Sequence, residues 1–84
     1  MSKIFVVCGE AGEYSDRVEW LVKAYYSIDK AKDHVLNAER RAKEIFWSRK
    51  GVNEFDPNMK MTYMEILGMD TRYFLEEVEF DNYL

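Results

Sequence analysis

The chain has 84 residues, 48% of them hydrophobic and 15% aromatic, a richness that excludes a disordered polypeptide and suits one small domain, residues 1–84. Twelve Lys and Arg against sixteen Asp and Glu give a formal net charge of −4, which removes the attraction behind most non-specific nucleic-acid binding, so no direct contact with DNA or RNA is expected. No apolar run reaches the roughly 20 residues that cross a bilayer, and the first run meets Glu10 too early for a secretory leader; the expected setting is cytoplasmic, with no membrane partner.

Residues 3–8 are apolar on both pleat faces, Phe5 and Val7 opposing Ile4, Val6 and Cys8, as in a central strand. Cys8 is the one cysteine; it forms neither an internal disulfide nor a zinc knuckle, and at the end of a buried strand its thiol is expected to be inert. No cofactor or metal is expected. Gly9 to Asp16 concentrates glycines and turn formers and reads as a hairpin loop. It lacks the Gly-Lys-Ser/Thr ending of a phosphate-binding loop, and Glu10 and Glu13 would repel an anion. Ser15 and Asp16 suit turn hydrogen bonds. From Arg17 the alternation resumes, with Val18, Trp20, Val22, Ala24 and Tyr26 on one face, expected to face a helix.

Ser27 is placed to cap that helix, with Asp29 in its first turn, where negative charge meets the positive end of the dipole. Ala31, Val35, Ala38, Ala42 and Ile45 recur at four- and three-residue steps, a narrow stripe that lets a helix lie close to a sheet. Gly51 marks the expected end, with Arg49 and Lys50 favourably near the negative terminus. His34 has neither carboxylate nor nucleophile one turn away and reads as a solvated helix-surface side chain. Residues 51–70 hold the single proline and many apolar anchors without clean periodicity, a long loop for so small a domain. Thr71 to Phe80 reads as the last strand, with Glu76 interrupting the Phe74, Val78, Phe80 face and suggesting a bulge there. The density of Glu76, Glu77 and Glu79 suits a solvated, aggregation-resistant strand.

The expected fold class is therefore α+β: a ββαβ chain forming a three-stranded antiparallel sheet in order 2-1-3, one helix across one face, and a long loop over 51–70. Tyr14, Trp20, Tyr25, Tyr26, Trp47, Phe55, Tyr63, Tyr73 and Tyr83 are more aromatics than one small core hides, and such residues dominate binding hot spots. The second sheet face also needs a cover. The 51–70 loop leads, with a second copy or a partner as the others.

Gly12-Glu13-Tyr14-Ser15-Asp16-Arg17 with Glu19-Trp20, the Ala31-based helix, and Asp56-Pro57-Asn58-Met59 leading to Tyr63 resemble a family of small uncharacterised proteins of bacteriophage and prophage genomes. The similarity spans nearly the whole chain. It departs after Tyr63, where that family has a short Gly-Thr turn before the last strand and Met64 to Asp70 intervenes here. The resemblance implies an accessory factor in the host cytoplasm that disables a host enzyme or defence system by occupying a surface.

No nucleophile is paired with a base, so no enzymatic activity is expected. The expected function is non-catalytic binding and inhibition of a host protein, a defence or nucleic-acid-processing enzyme. Its contacts would come from Tyr14, Asp16, Arg17 and Trp20 of the hairpin, Asp56 and Tyr63 of the loop, and Glu76, Glu77 and Glu79 as an acidic edge. The alternative is a small-ligand module closing over a nucleotide-like molecule, with Arg17 and Arg72 as anion contacts and Trp20 or Tyr63 stacking on a base. A third reading is a homodimeric structural or regulatory subunit.

Overall fold

The run that is apolar on both pleat faces becomes the middle strand. In the computed structural model, which describes residues 2–12, 17–59 and 71–80, β1 (Ser2–Ala11) lies between β2 (Val18–Tyr25) and β3 (Arg72–Phe80), antiparallel to both. The helix α1 (Ile28–Ser48) links β2 to the segment that leads into β3. The fold is α+β, with the expected strand order 2-1-3.

One face of this sheet holds the core. Val7, Tyr73 and the helix residues Ala31, Ala38, Ala42 and Ile45 are buried together, with Phe5, Val22, Val35 and Leu75 among the side chains packed around them. Three alanines on one stripe bring the helix backbone close to the strands, so the bulk that fills the layer comes mainly from the sheet and from Ile45. Ser27 caps the helix in an extended conformation, its Oγ accepting from the Lys30 amide at 3.3 Å. The other end departs from expectation. The left-handed cap is Arg49, at φ 61°, and its amide donates to the Ile45 carbonyl at 2.7 Å. Gly51, also at positive φ, lies beyond the cap.

A second departure lies in β2. Its pairing with β1 shifts register between Val7 and Cys8, where Lys23 pairs with Val7 and Leu21 with Cys8, leaving Val22 as an extra residue. A bulge restarts the alternation, so the helix side receives Val22 and then Tyr25, while Ala24 and Tyr26 are exposed. The β1–β3 pairing runs without a break from Ser2 and Phe80 to Glu10 and Arg72. The bulge expected at Glu76 is therefore absent, and Glu76 stands in register on the face opposite the helix.

The described part of the 51–70 loop, up to Met59, packs on the helix side and not on the open sheet face. Buried Asn53 sets this direction. Its Nδ2 donates to the Ala38 carbonyl at 3.1 Å and to the Tyr73 hydroxyl at 3.3 Å, and its Oδ1 accepts from the Phe55 amide at 3.0 Å. Arg41 reaches across from the helix to the Val52 carbonyl and the Glu54 carboxylate.

Candidate functional site

Gly9 has no side chain, and its cross-strand neighbour Trp20 uses the space. Trp20 is its partner on β2 and Tyr73 its partner on β3. The Trp20 ring lies over Gly9 so closely that a β-carbon there would meet the indole at 2.5 Å. Both aromatic side chains point their polar ends at one carboxylate. Trp20 Nε1 donates to Asp56 Oδ2 at 2.9 Å, and the Tyr73 hydroxyl donates to the same oxygen at 2.6 Å. Asp56 Oδ1 accepts from the Asn58 amide at 3.0 Å, the local turn that Asp-Pro-Asn favours. A carboxylate only 1% exposed is costly unless paired or fully hydrogen-bonded, and here three donors meet it. Asn58 Nδ2 then fastens the segment to the Leu21 carbonyl at 3.2 Å.

This clamp engages two of the sequence-derived contact residues and buries one of them. Asp56 is buried and its oxygens are occupied; Trp20 is half-buried with its ring nitrogen committed. Asp56 is closed off from a partner, whereas the half-buried Trp20 ring, with its nitrogen committed to Asp56, still borders an open cleft beside Glu19, Leu21 and Glu76. Tyr14, Asp16 and Tyr63 lie outside the described residues, as do Ser15 and residues 60–70 of the long loop.

His34 also differs from its expected solvated place. Its Nε2 lies 2.6 Å from the Phe55 carbonyl, which only accepts, so Nε2 donates there. In the neutral ring Nδ1 then accepts from the Tyr25 hydroxyl at 2.8 Å. The ring meets Phe55 edge-on and borders an open cleft of about 260 Å³ shared with Lys30, Asp33 and Asn37. With both nitrogens engaged, His34 fastens the loop to the helix; the partners come from residues 9 and 21 positions away, which one-turn spacing does not reveal.

The arginines are similarly engaged. Arg17 pairs with Glu10 at 2.6 Å and with Glu19, and Arg72 pairs with Glu10 at 3.3 Å while donating to the Gly12 carbonyl at 2.7 Å. Glu10 thus takes up both cations that an anionic ligand would need.

The face opposite the helix is different in kind. Along β3 it presents Phe74, Glu76 and Val78, beside Cys8, Val6 and Ile4 of β1, with Leu21 and Ala24 from β2. Leu21 is 67% exposed and Val78 37%, and Ile4, Val6 and Phe74 are only partly buried. Glu76 stands exposed amid these apolar side chains. With Cys8, Glu19, Trp20 and Leu21 it lines an open cleft of about 220 Å³. Burial first, then the negative charges of Glu76 and Glu19, push the Cys8 thiol above its ordinary value, and its Sγ lies 3.9 Å from a Glu76 oxygen. Glu77 and Glu79 lie on the helix-side face of β3, both exposed and sharing Lys3 at 3.6 and 3.7 Å. The three carboxylates therefore occupy one strand but two faces.

Among the described residues no group of three potential metal ligands occurs, and no helix is long and apolar enough to cross a membrane. Compared with protein-family models, curated proteins and solved structures, the chain matches none.

Proposed function

We propose that this chain is a non-catalytic, phage-type accessory protein that binds and inhibits a host protein, and that the contact is made by the open sheet face and the acidic third strand. The observation that carries this reading is the partly exposed apolar face with Glu76 at its centre. A contiguous, partly exposed apolar patch is a usual mark of a protein-binding surface. The carboxylate within it selects a partner whose contact patch is apolar with at least one Lys or Arg. Acid–base candidates support a binding role over catalysis, since His34 and Asp56 hold the loop in place. The nucleotide-like ligand has less support, because Arg17 and Arg72 are taken up by Glu10 and Glu19.

The test is capture from host lysate on immobilised protein, comparing the wild type with Glu76→Arg and Val78→Lys on the open face, and with Lys32→Glu on the helix as a control. One retained host protein lost with both face variants and kept with the control is the expected result. Retention indifferent to the face variants, or no retained protein at all, sinks the proposal.

A further inference from the structure

The outward side of α1 carries a pattern that complements the open sheet face. Leu36, Arg40, Lys43 and Trp47 follow at steps of four, three and four, which places them on one side of a helix. Leu36 is 65% and Trp47 81% exposed, and Arg40 and Lys43 between them are exposed as well. The stripe reads apolar, cationic, cationic, apolar over about 16 Å at 1.5 Å per residue. The sheet face reads apolar, anionic, apolar, from Phe74 through Glu76 to Val78 and Phe80, over about 13 to 20 Å at 3.3 Å per residue. Length, polarity and order match, and the charges at the two centres are opposite.

The two surfaces lie on opposite sides of the sheet, so one molecule cannot bring its own together. We propose that the occupant of the open face is the helix of a second copy, laid along the strands with Arg40 and Lys43 over Glu76 and with Leu36 and Trp47 on the apolar ends. Such a contact is heterologous and stacks copies front to back, closing only if the rotation makes a ring. Sheet edges are poor competitors. The bulge in β2 interrupts one edge, and Glu76, Glu77 and Glu79 guard the other. The inference uses the face named in the proposed function but needs no host protein; a host ligand of similar chemistry would compete with the second copy.

The experiment is sedimentation and light scattering of the full chain against concentration, at low and high salt. The wild type is expected to pass beyond the mass of two chains as concentration rises, and to assemble less readily at high salt. Arg40→Glu with Lys43→Glu, or Glu76→Lys alone, should each raise the concentration for half-assembly by roughly tenfold or more, since each sets like charges at the centre. An equimolar mixture of the two variants restores opposite charges at every contact, and assembly should return. Single chains at all concentrations, a plateau at a closed dimer, assembly of either variant like wild type, or a mixture that fails to recover would each overturn the proposal. If a charge variant loses its far-UV dichroism, Trp47→Ser and Val78→Ser decide, one from each surface; assembly of either like wild type overturns the proposal.

Discussion

The two faces of the one sheet obey different rules. On the helix side, Gly9, Trp20, Tyr73 and Asp56 come from four separate segments and fit so that each requires the others. On the open side, Phe74, Glu76 and Val78 keep the same alternation but meet solvent. The lesson is that a tyrosine, a tryptophan and a carboxylate are poor indicators of a binding site until their polar atoms have been accounted for. Those that look most functional can be the ones that fasten the loop, while a plain Val-Glu-Phe alternation on the other face remains displayed.

Substitutions on the helix side should therefore damage folding, and those on the open side should damage only association. The largest effect is expected for Asp56→Ala, which leaves the Trp20 ring nitrogen and the Tyr73 hydroxyl without their acceptor. A loss of about 3–5 kcal/mol is expected in urea unfolding, a large part of what a domain of this size has. A loss below about 1 kcal/mol would show that the clamp is not a main support. Gly9→Ala should cost about 2–3 kcal/mol, because the new methyl must displace the indole and with it the hydrogen bond to Asp56. Trp20 fluorescence, read in a Trp47→Phe background, should report that displacement.

His34→Ala should cost about 1–2 kcal/mol by freeing the Tyr25 hydroxyl and the Phe55 carbonyl, and should raise amide exchange over residues 52–59 more than in the sheet. Val78→Ser should cost no more than about 1 kcal/mol, since its side chain is already 37% exposed; a cost of about 2 kcal/mol or more, as for a fully buried valine, would mean that the open face is covered. Cys8 supplies a finer probe of the same contrast. Its raised pKa means that the unfolded chain loses the thiol proton first. The thiol therefore leaves stability unaltered below the ordinary value of 9.0 and lowers it as pH rises through and beyond that value. Alkylation at pH 8 should be slower in the folded chain than in urea, and Glu76→Lys should speed it in the folded chain.

Much of the architecture was legible from local pattern. The two-faced apolar run of β1, the alanine stripe of α1 and the Ser27 cap each rest on near neighbours in the chain, where periodicity and capping chemistry act. The bulge in β2 leaves no compositional mark in Leu21-Val22-Lys23; only the pairing with β1 reveals that Val22 is extra. Glu76 interrupts the apolar alternation of β3 without a bulge, because a face open to solvent accepts a glutamate in register. Glycine most readily adopts positive φ and so points to Gly51 as the helix stop, yet Arg49 takes that conformation with its guanidinium 4.8 Å from the Phe46 ring centre.

The sequence by itself determined the ββαβ order, the antiparallel sheet with β1 at its centre and the side of α1 that is buried, because these follow from hydrophobic period and turn chemistry over a few residues. Only the tertiary structure decided that Trp20 and Asp56 are 2.9 Å apart across 36 residues, that Asn53 draws the loop to the helix side, and that Glu76 keeps its register in an apolar face without a bulge. Those outcomes depend on which polar atoms find partners once distant segments meet, and no local spacing records that choice.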